Sequence, residues 1–415
     1  MFLSMRLMAV KIVLFTHPGC ISHASLPLQA KSEAELLTLF LQNGLDHLHI
    51  RKPEWSREQV GDLISQIPAC FHCKIKIHDH FSLAERFDVG VVVNSRNPEP
   101  PTGLRHVARS MHSLQELSQA DRYEYVTISP VFDSISKSGY TANASLTDAP
   151  HITGAKNLVA LGGVTMSSLK LLNDKGFYGA ALLGEMWNNG GAKTLLDTLR
   201  RRNMALYFIT NGTSAEETIA QAKNVVDGGC RMVQVRMKDA QEDEIREVLQ
   251  EVVPYVREHG GNIIVDDHVS LAAEGLADGV HIGKTDMSPE KARKMLGDMG
   301  IIGFTANSIE DIRATKGLSV DYLGIGPLRE TTTKKNAAAP LGLATYQSLK
   351  KGEDYVFPYV AIGSVGLDDV CPLMNAGAVG LAVSGAIAKA ENPAEMTQKF
   401  IELSYNYNNY LEWIP

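Results

Sequence analysis

Along this chain, short β-branched runs alternate with longer stretches whose apolar positions recur at helical spacing. In the second half, Ala205–Ile209, Met232–Arg236, Ile263–Val265, Gly279–Ile282, Ile301–Phe304, Tyr322–Ile325, Tyr359–Ile362 and Gly380–Val383 read as eight strands. Ser214 with Glu217 three residues on predicts a capping box at a helix start. Ile245, Val248, Leu249, Val252, Val253 and Val256 then fall on one helical face, and Gly260 ends that pattern. Eight strands separated by helices predict an α/β fold of the (β/α)8 type. A doubly wound open sheet competes, but no G-x-G-x-x-G follows the first strand, which weighs against a dinucleotide-binding version.

The same order of motifs occurs twice. Ile50-Arg51-Lys52 answers Val235-Arg236-Met237, and Ile77-His78-Asp79-His80 answers Val265-Asp266-Asp267-His268. The offset between halves is 185 residues at Arg51 and Arg236 and 188 at Asp79 and Asp267. It reaches 197 at Pro130 and Pro327, and 201 at Val159 and Val360. A steady upward drift is what small loop insertions in the second copy produce, whereas chance matches would not keep their order. The expectation is two tandem (β/α)8 TIM barrels, residues 8–200 and 204–415. The basic triplet Arg200-Arg201-Arg202 before Asn203 is read as a solvated helix end and linker.

Composition changes this picture little. With 415 residues, 44% hydrophobic and 21% charged, the chain is an ordinary globular one, and a net charge of −7 argues against nucleic acid. Five cysteines, mostly scattered, read as reduced thiols of a cytoplasmic protein. Cys70-Phe-His-Cys73, near His78 and His80, is half a zinc pattern without its second ligand pair. Lys11 interrupts the apolar start and no small-residue cleavage site follows, so Lys11–Phe15 is read as a first strand rather than a leader. No run of eighteen apolar residues exists, hence no membrane span is expected.

Polar blocks end the strands of the second half, the edge where such barrels build active sites. Arg236 and Lys238 lie two apart at a strand end and point the same way, a fork and a point charge suited to phosphate oxygens. Asp267 and Asp286 follow neighbouring strands, where two carboxylates can share one Mg²⁺. The alternative role for Asp286 is to cap the helix that follows. Arg329–Lys335 places three threonines and two lysines after Gly326-Pro327, the makings of an anion cradle. Gly363-Ser364 and Ser384-Gly385 follow the seventh and eighth strands, the usual phosphate-binding pair.

Over Met204–Asn392 these motifs, Q-x-R-x-K-D, H-I-G-x-x-D and G-P-x-x-x-T-x-T-K, resemble the thiamine phosphate synthase family. The resemblance implies that Arg236, Lys238 and Lys334 bind the pyrophosphate of hydroxymethyl-aminopyrimidine diphosphate, with Gln234, Asp266 and Thr305 near that substrate. It implies Mg²⁺ on Asp267 and Asp286, and Thr331, Thr333, Ser364, Ser384 and Gly385 on a thiazole phosphate. The implied mechanism is dissociative: pyrophosphate leaves, a pyrimidinylmethyl cation forms, and the thiazole nitrogen attacks it. Three positions depart from the family pattern. Asp266 stands where asparagine is usual, Arg329-Glu330 replaces Tyr-Pro, and Ser364 replaces glycine.

The first half keeps the frame and loses charge. Pro53 stands where Lys238 does, and Asn97 where Asp286 does, while Lys137 still answers Lys334. Over roughly Met8–Asn188 it looks like the thiazole-tautomerase branch or a diverged synthase, with Pro130 where that branch carries a histidine. Ser110, His112, Ser134, Ser136, Lys137 and Gly163 are its candidate phosphate and proton-transfer residues. The partners expected are small-molecule substrates, with neither nucleic acid nor membrane, and a homo-oligomer is left open. The competing readings are a thiazole tautomerase and a non-catalytic thiazole phosphate-binding protein.

Overall fold

The computed structural model describes residues 10–22, 25–104, 106–133, 143–187, 190–331 and 338–414. Sixteen strands form two closed, all-parallel, eight-stranded barrels. The first is built from β1 (Lys11–Phe15), β2 (His47–Ile50), β3 (Ile75–Ile77), β4 (Gly90–Val93), β5 (Val107–Met111), β6 (Tyr125–Ile128), β7 (Leu158–Ala160) and β8 (Gly179–Leu182). The second uses β9 (Leu206–Ile209), β10 (Met232–Val235), β11 (Asn262–Asp266), β12 (Gly279–Ile282), β13 (Ile301–Ala306), β14 (Tyr322–Ile325), β15 (Tyr359–Ile362) and β16 (Gly380–Val383). Each barrel closes by pairing its last strand with its first, β8 with β1 and β16 with β9. That closure excludes the open doubly wound sheet.

These strands read as near-continuous apolar runs because both faces are covered, one by side chains of the barrel interior and one by helices. Gly-Leu-Ala-Val of β16 and Leu-Tyr-Phe-Ile of β9 are buried at every position. Helix Glu242–Glu258 buries Ile245, Val248, Leu249, Val252, Val253 and Val256, the six positions its periodicity singles out. At the preceding helix, Ala215–Asp227, Ser214 Oγ accepts from the Glu217 amide as the capping pattern requires. The Glu217 carboxylate takes the Thr213 amide and hydroxyl instead of the Ser214 amide, so only half of the box forms.

The duplication is visible in side-chain detail. Thr210 Oγ1 accepts from the Arg236 amide at 2.9 Å, and Thr16 Oγ1 accepts from the Arg51 amide at 3.0 Å. A threonine one strand earlier thus fixes the backbone of each arginine. The chain divides into two compact units, with the main changeover between Thr198 and Leu199. Arg200–Arg202 do end a helix, Gly191–Asn203, but they are not solvated. Arg200 and Arg202 are buried, Arg200 Nη1 donates to the Met299 carbonyl at 2.8 Å, and Arg201 Nη1 donates to the Trp413 carbonyl at 2.9 Å. Arginine stems pack while their forks satisfy backbone carbonyls, a role that charge patterning alone does not reveal.

Candidate active site

A cavity of about 1420 Å³ opens at the carboxyl ends of the second barrel's strands. Gln234, Arg236, Lys238, Asp266, Asp267, Asp286, Thr305, Thr331, Ser364, Ser384 and Gly385 all line it. Thr333 and Lys334 lie outside the described residues.

The cavity floor is a polar network inside the barrel. Tyr207 and Tyr322 hydroxyls lie 2.8 Å apart, and Gln234 Nε2 donates to the Tyr207 hydroxyl at 3.1 Å. His281 bridges the Tyr322 hydroxyl at 3.1 Å and Thr305 Oγ1 at 2.9 Å. Gly303 makes this possible, since a Cβ there would stand 2.1 Å from the Tyr322 ring. Gln234 and Thr305 are therefore held in place from below, which orients them before any ligand arrives.

Around the mouth stand the charges. Arg236 Nε lies 3.2 Å from the Asp266 carboxylate, so the residue that replaces the expected asparagine forms an ion pair with the arginine beside it. Asp267 follows in the left-handed region, at φ 64°, a conformation that costs a non-glycine residue of order 1–3 kcal/mol and clusters at functional sites. Its carboxyl is pushed up to about 7, first by burial, then by the charge of Asp266 and by the hydrogen bond and charge of Asp286; Lys238 pulls the other way. Two carboxyls so placed share a proton or a cation. Asp286 Oδ2 also accepts from the Gly283 amide at 2.7 Å, and the helix it was a candidate to cap, Pro289–Leu296, is capped by Ser288. Asp286 is thus free of the capping role.

On the other side, Ser364 occupies the left-handed region at φ 54° and its hydroxyl donates to the Glu330 carbonyl at 2.7 Å. Arg329 makes two hydrogen bonds to Asp369, at 2.6 and 2.5 Å, so the charge introduced by the departure at 329 is neutralised locally. Ser384 Oγ is buried with no hydrogen-bond partner among the described residues. A buried hydroxyl left unpaired in a cavity lining points to a ligand atom that completes it. Lys389, His281 and Asn211 also line the cavity. His281 lies in the polar block that ends β12 and Asn211 in the Thr-Asn-Gly-Thr-Ser stretch after β9, so strand-end blocks were the available signal for both.

The donor set fits Mg²⁺. Among the described residues no three His, Cys, Asp or Glu side chains gather as a metal shell, but this ion takes few protein ligands and keeps water or phosphate for the rest. The facing carboxyls of Asp267 and Asp286 offer the hard anionic oxygens it needs, and a cation between them would relieve the repulsion that helps push Asp267 up.

The first barrel has a smaller cavity at the same end, about 450 Å³, lined by Arg51, His78, Arg96, Ser110, His112 and Gly163 among others. Ser134, Ser136 and Lys137 lie outside the described residues. Asn97 Nδ2 donates to Asp79 Oδ1 at 3.2 Å, so a neutral amide meets the carboxylate where two carboxyls meet in the second barrel. His72 of the Cys70–Cys73 stretch sets its ring nitrogens against the Phe87 and Ile67 carbonyls, at 2.8 and 3.0 Å, and the two cysteines are exposed and in no disulfide among the described residues. No helix among the described residues is long and apolar enough to cross a membrane.

A family model described as thiamine monophosphate synthase matches the chain twice, over residues 20–186 and 206–387. A thiamine-phosphate synthase of Bacteroides fragilis is 41% identical over 203 residues, covering 48% of this chain and 100% of that protein. One of Flavobacterium psychrophilum is 35% identical over 195 residues, covering 46% of this chain and 94% of that protein. Among solved structures, thiamine phosphate pyrophosphorylase from Pyrococcus furiosus is 28% identical, with 49% of this chain and 96% of that one covered and a TM-score of 0.43. Through both of its halves, the chain belongs to the thiamine monophosphate synthase family of transferases.

Proposed function

We propose that the second barrel, residues 204–415, joins hydroxymethyl-aminopyrimidine diphosphate to a thiazole phosphate, giving thiamine phosphate and pyrophosphate. The observation that carries this reading is the single cavity on which the cations, the paired carboxyls and the small polar residues after β15 and β16 converge. Gln234 and Thr305 orient the pyrimidine, Arg236 and Lys238 bind its diphosphate together with Lys334, and Thr331, Thr333, Ser364, Ser384 and Gly385 hold the thiazole phosphate. Asp266 tunes Arg236 by pairing with it.

Asp267 and Asp286 would hold Mg²⁺, which supplies charge stabilisation to the departing pyrophosphate. Arg236, Lys238 and Lys334 stabilise the same developing charge, the largest requirement when the C–O bond breaks before the new C–N bond forms. The pyrimidinylmethyl cation left behind is captured by the thiazole nitrogen held across the cavity. Such chemistry needs no activated Ser or Cys nucleophile. Residues 8–200 form the other domain, with Asn97 and Pro53 unsuited to a Mg²⁺–pyrophosphate. The reaction takes place in the cytoplasm.

The test is to assay the intact chain with both substrates and Mg²⁺, beside Lys238→Ala and Arg236→Gln variants. Thiamine phosphate formation that survives both substitutions unchanged would remove the second barrel from the reaction.

A further inference from the structure

The Cys70-Phe-His-Cys73 stretch lines neither cavity described above. It forms the 3-10 helix Ala69–Lys74, which runs directly into β3 and therefore lies at the amino ends of the strands, away from the mouth. A 3-10 helix has three residues per turn, so side chains at i and i+3 stand in line. At a rise of about 2 Å per residue their Cα atoms are about 6 Å apart, inside the roughly 4.4–6.8 Å window that a disulfide spans. Both cysteines are exposed, and Cys73 Sγ lies 3.8 Å from the Cys70 carbonyl oxygen. The second thiol thus leans back along the turn toward the first.

The residues between and beside the cysteines hold this turn in place. Phe71 and His72 are buried, with the His72 ring set between the Ile67 and Phe87 carbonyls. The Phe71 amide donates to the Pro68 carbonyl at 3.0 Å, and Lys74 Nζ donates to the Leu45 carbonyl at 3.0 Å. Closing an S–S bond across such a turn needs rotation about side-chain bonds only, because the fold has already ordered the backbone. Charge also favours the attacking form. The Lys76 ammonium, in β3, is depressed by burial and supported by Glu124 and then by Cys73, so a thiolate at Cys73 and this ammonium attract each other. The pair belongs to the first copy alone. In the 188-residue register that relates Asp79 to Asp267, Glu258 and Gly261 stand opposite Cys70 and Cys73. The second copy's helix runs on to Glu258, whereas the first copy's stops at Ser65 and leaves room for the 3-10 turn.

We infer that Cys70 and Cys73 are a redox-active dithiol that closes reversibly to a disulfide by exchange with a low-molecular-weight disulfide such as oxidised glutathione. One cysteine thiolate attacks a sulfur of glutathione disulfide. That S–S bond breaks, a mixed disulfide forms and one glutathione thiolate leaves. The second cysteine thiolate then attacks the protein sulfur of the mixed disulfide, the Cys70–Cys73 bond forms, and the second glutathione leaves. The two thiol protons pass to the two departing thiolates. The protein gives up two electrons and the glutathione disulfide takes them. The remaining cysteines are unsuited to this closure: Cys20 and Cys371 stand alone in sequence, and Cys230 is buried against the Leu206 and Met232 carbonyls.

The experiment takes the full chain carrying Cys20→Ser and Cys371→Ser and equilibrates it with millimolar glutathione, from mostly reduced to mostly oxidised. Samples are quenched with N-ethylmaleimide and read by mass spectrometry of the chain and its peptides. As oxidised glutathione rises, Cys70 and Cys73 should stop taking up the alkylating agent and appear in one linked peptide, lighter by two hydrogens. This form should outnumber the glutathione adduct by at least about tenfold, since its second step is intramolecular. Dithiothreitol should restore both thiols. In the same background, Cys70→Ser or Cys73→Ser should instead trap one glutathione on the cysteine that remains. The oxidised chain should unfold at the same temperature as the reduced one or higher. Alkylation of both thiols at every ratio, two adducts without a link, or a bond to Cys230 or to a second chain would overturn the inference. So would an unfolding midpoint that falls on oxidation, because closure would then require the turn to break.

Discussion

The Arg236 guanidinium stands 3.2 Å from the Asp266 carboxylate, with 14% of each side chain exposed. A diphosphate arriving at Arg236 therefore competes with a carboxylate already in place. Partial burial strengthens such a pair over a surface one, and the attraction must be given up or shared on binding. Asp266→Asn should release Arg236 and lower the KM for the pyrimidine diphosphate by roughly three- to tenfold, about 1 kcal/mol. Steady-state kinetics at saturating thiazole phosphate reads this directly. A KM that rises would mean that Asp266 itself contacts substrate.

Asp286→Asn separates metal binding from stability. Removing one hard ligand should raise the Mg²⁺ concentration giving half-maximal rate and slow turnover. The same change removes the like charge that helps push Asp267 up to about 7, while the amide oxygen can still accept from the Gly283 amide. Thermal stability in EDTA should therefore hold or rise. Lower stability in EDTA together with an unchanged Mg²⁺ requirement would make Asp286 a structural residue.

Ser384→Ala tests the unpartnered hydroxyl. In the free protein Ser384 Oγ makes no hydrogen bond among the described residues, so its loss should leave the unfolding midpoint unchanged or slightly raised. Affinity for the thiazole phosphate should fall, since a hydrogen bond to a charged group contributes about 1.5–3 kcal/mol. Calorimetry with the phosphate ester shows whether the two effects part company.

Acid should destabilise the first barrel before the second. Burial lowers His47 to about 4, His78 to about 3 and His49 well below the ordinary 6.5. His47 is faced by Asp46, Lys76, Glu124 and Lys11, His49 by His78, Lys76 and His47, and His78 by Arg51 and Arg96. The unfolded chain binds protons at these sites near pH 6.5 and the fold does not, so stability is full above that pH. It is lost as pH falls toward 4 and then 3, by up to about 1.4 kcal/mol per unit for each histidine. Denaturation midpoints recorded by hydrogen exchange at peptide resolution, from about pH 7 to about pH 5, should fall for the β1–β8 peptides first. A pH-independent profile there would mean that these imidazoles already carry protons in the folded state.

Much of the fold was legible because barrel strands announce themselves twice, by apolar runs and by the polar block that ends each run. The eight strands of the second half fall within a residue or two of the expected bounds. Repeat offsets made the first barrel legible even where its charges are gone. What stayed hidden was partnership. Nothing in the string Val-Asp-Asp-His says that Asp266 pairs with Arg236, because the contact crosses from β11 to β10. Likewise Lys389 reaches the cavity from a helix beyond β16, and no strand-end pattern marks it. The basic triplet misled for the opposite reason: its charges looked solvated, and only tertiary packing supplies the carbonyls that bury them.

The matched threonine clamps, Thr16 on Arg51 and Thr210 on Arg236, bear on how this chain came to differ from itself. A backbone hold present in both copies, while Lys238 and Asp286 face Pro53 and Asn97, means that the strand frame is kept where loops and mouth side chains differ. The positions that set the charge of each mouth can then be exchanged between copies without disturbing the hold on the arginine backbone. Each barrel is thus a frame on which the charge of the mouth can be rewritten while the strands beneath it stay put.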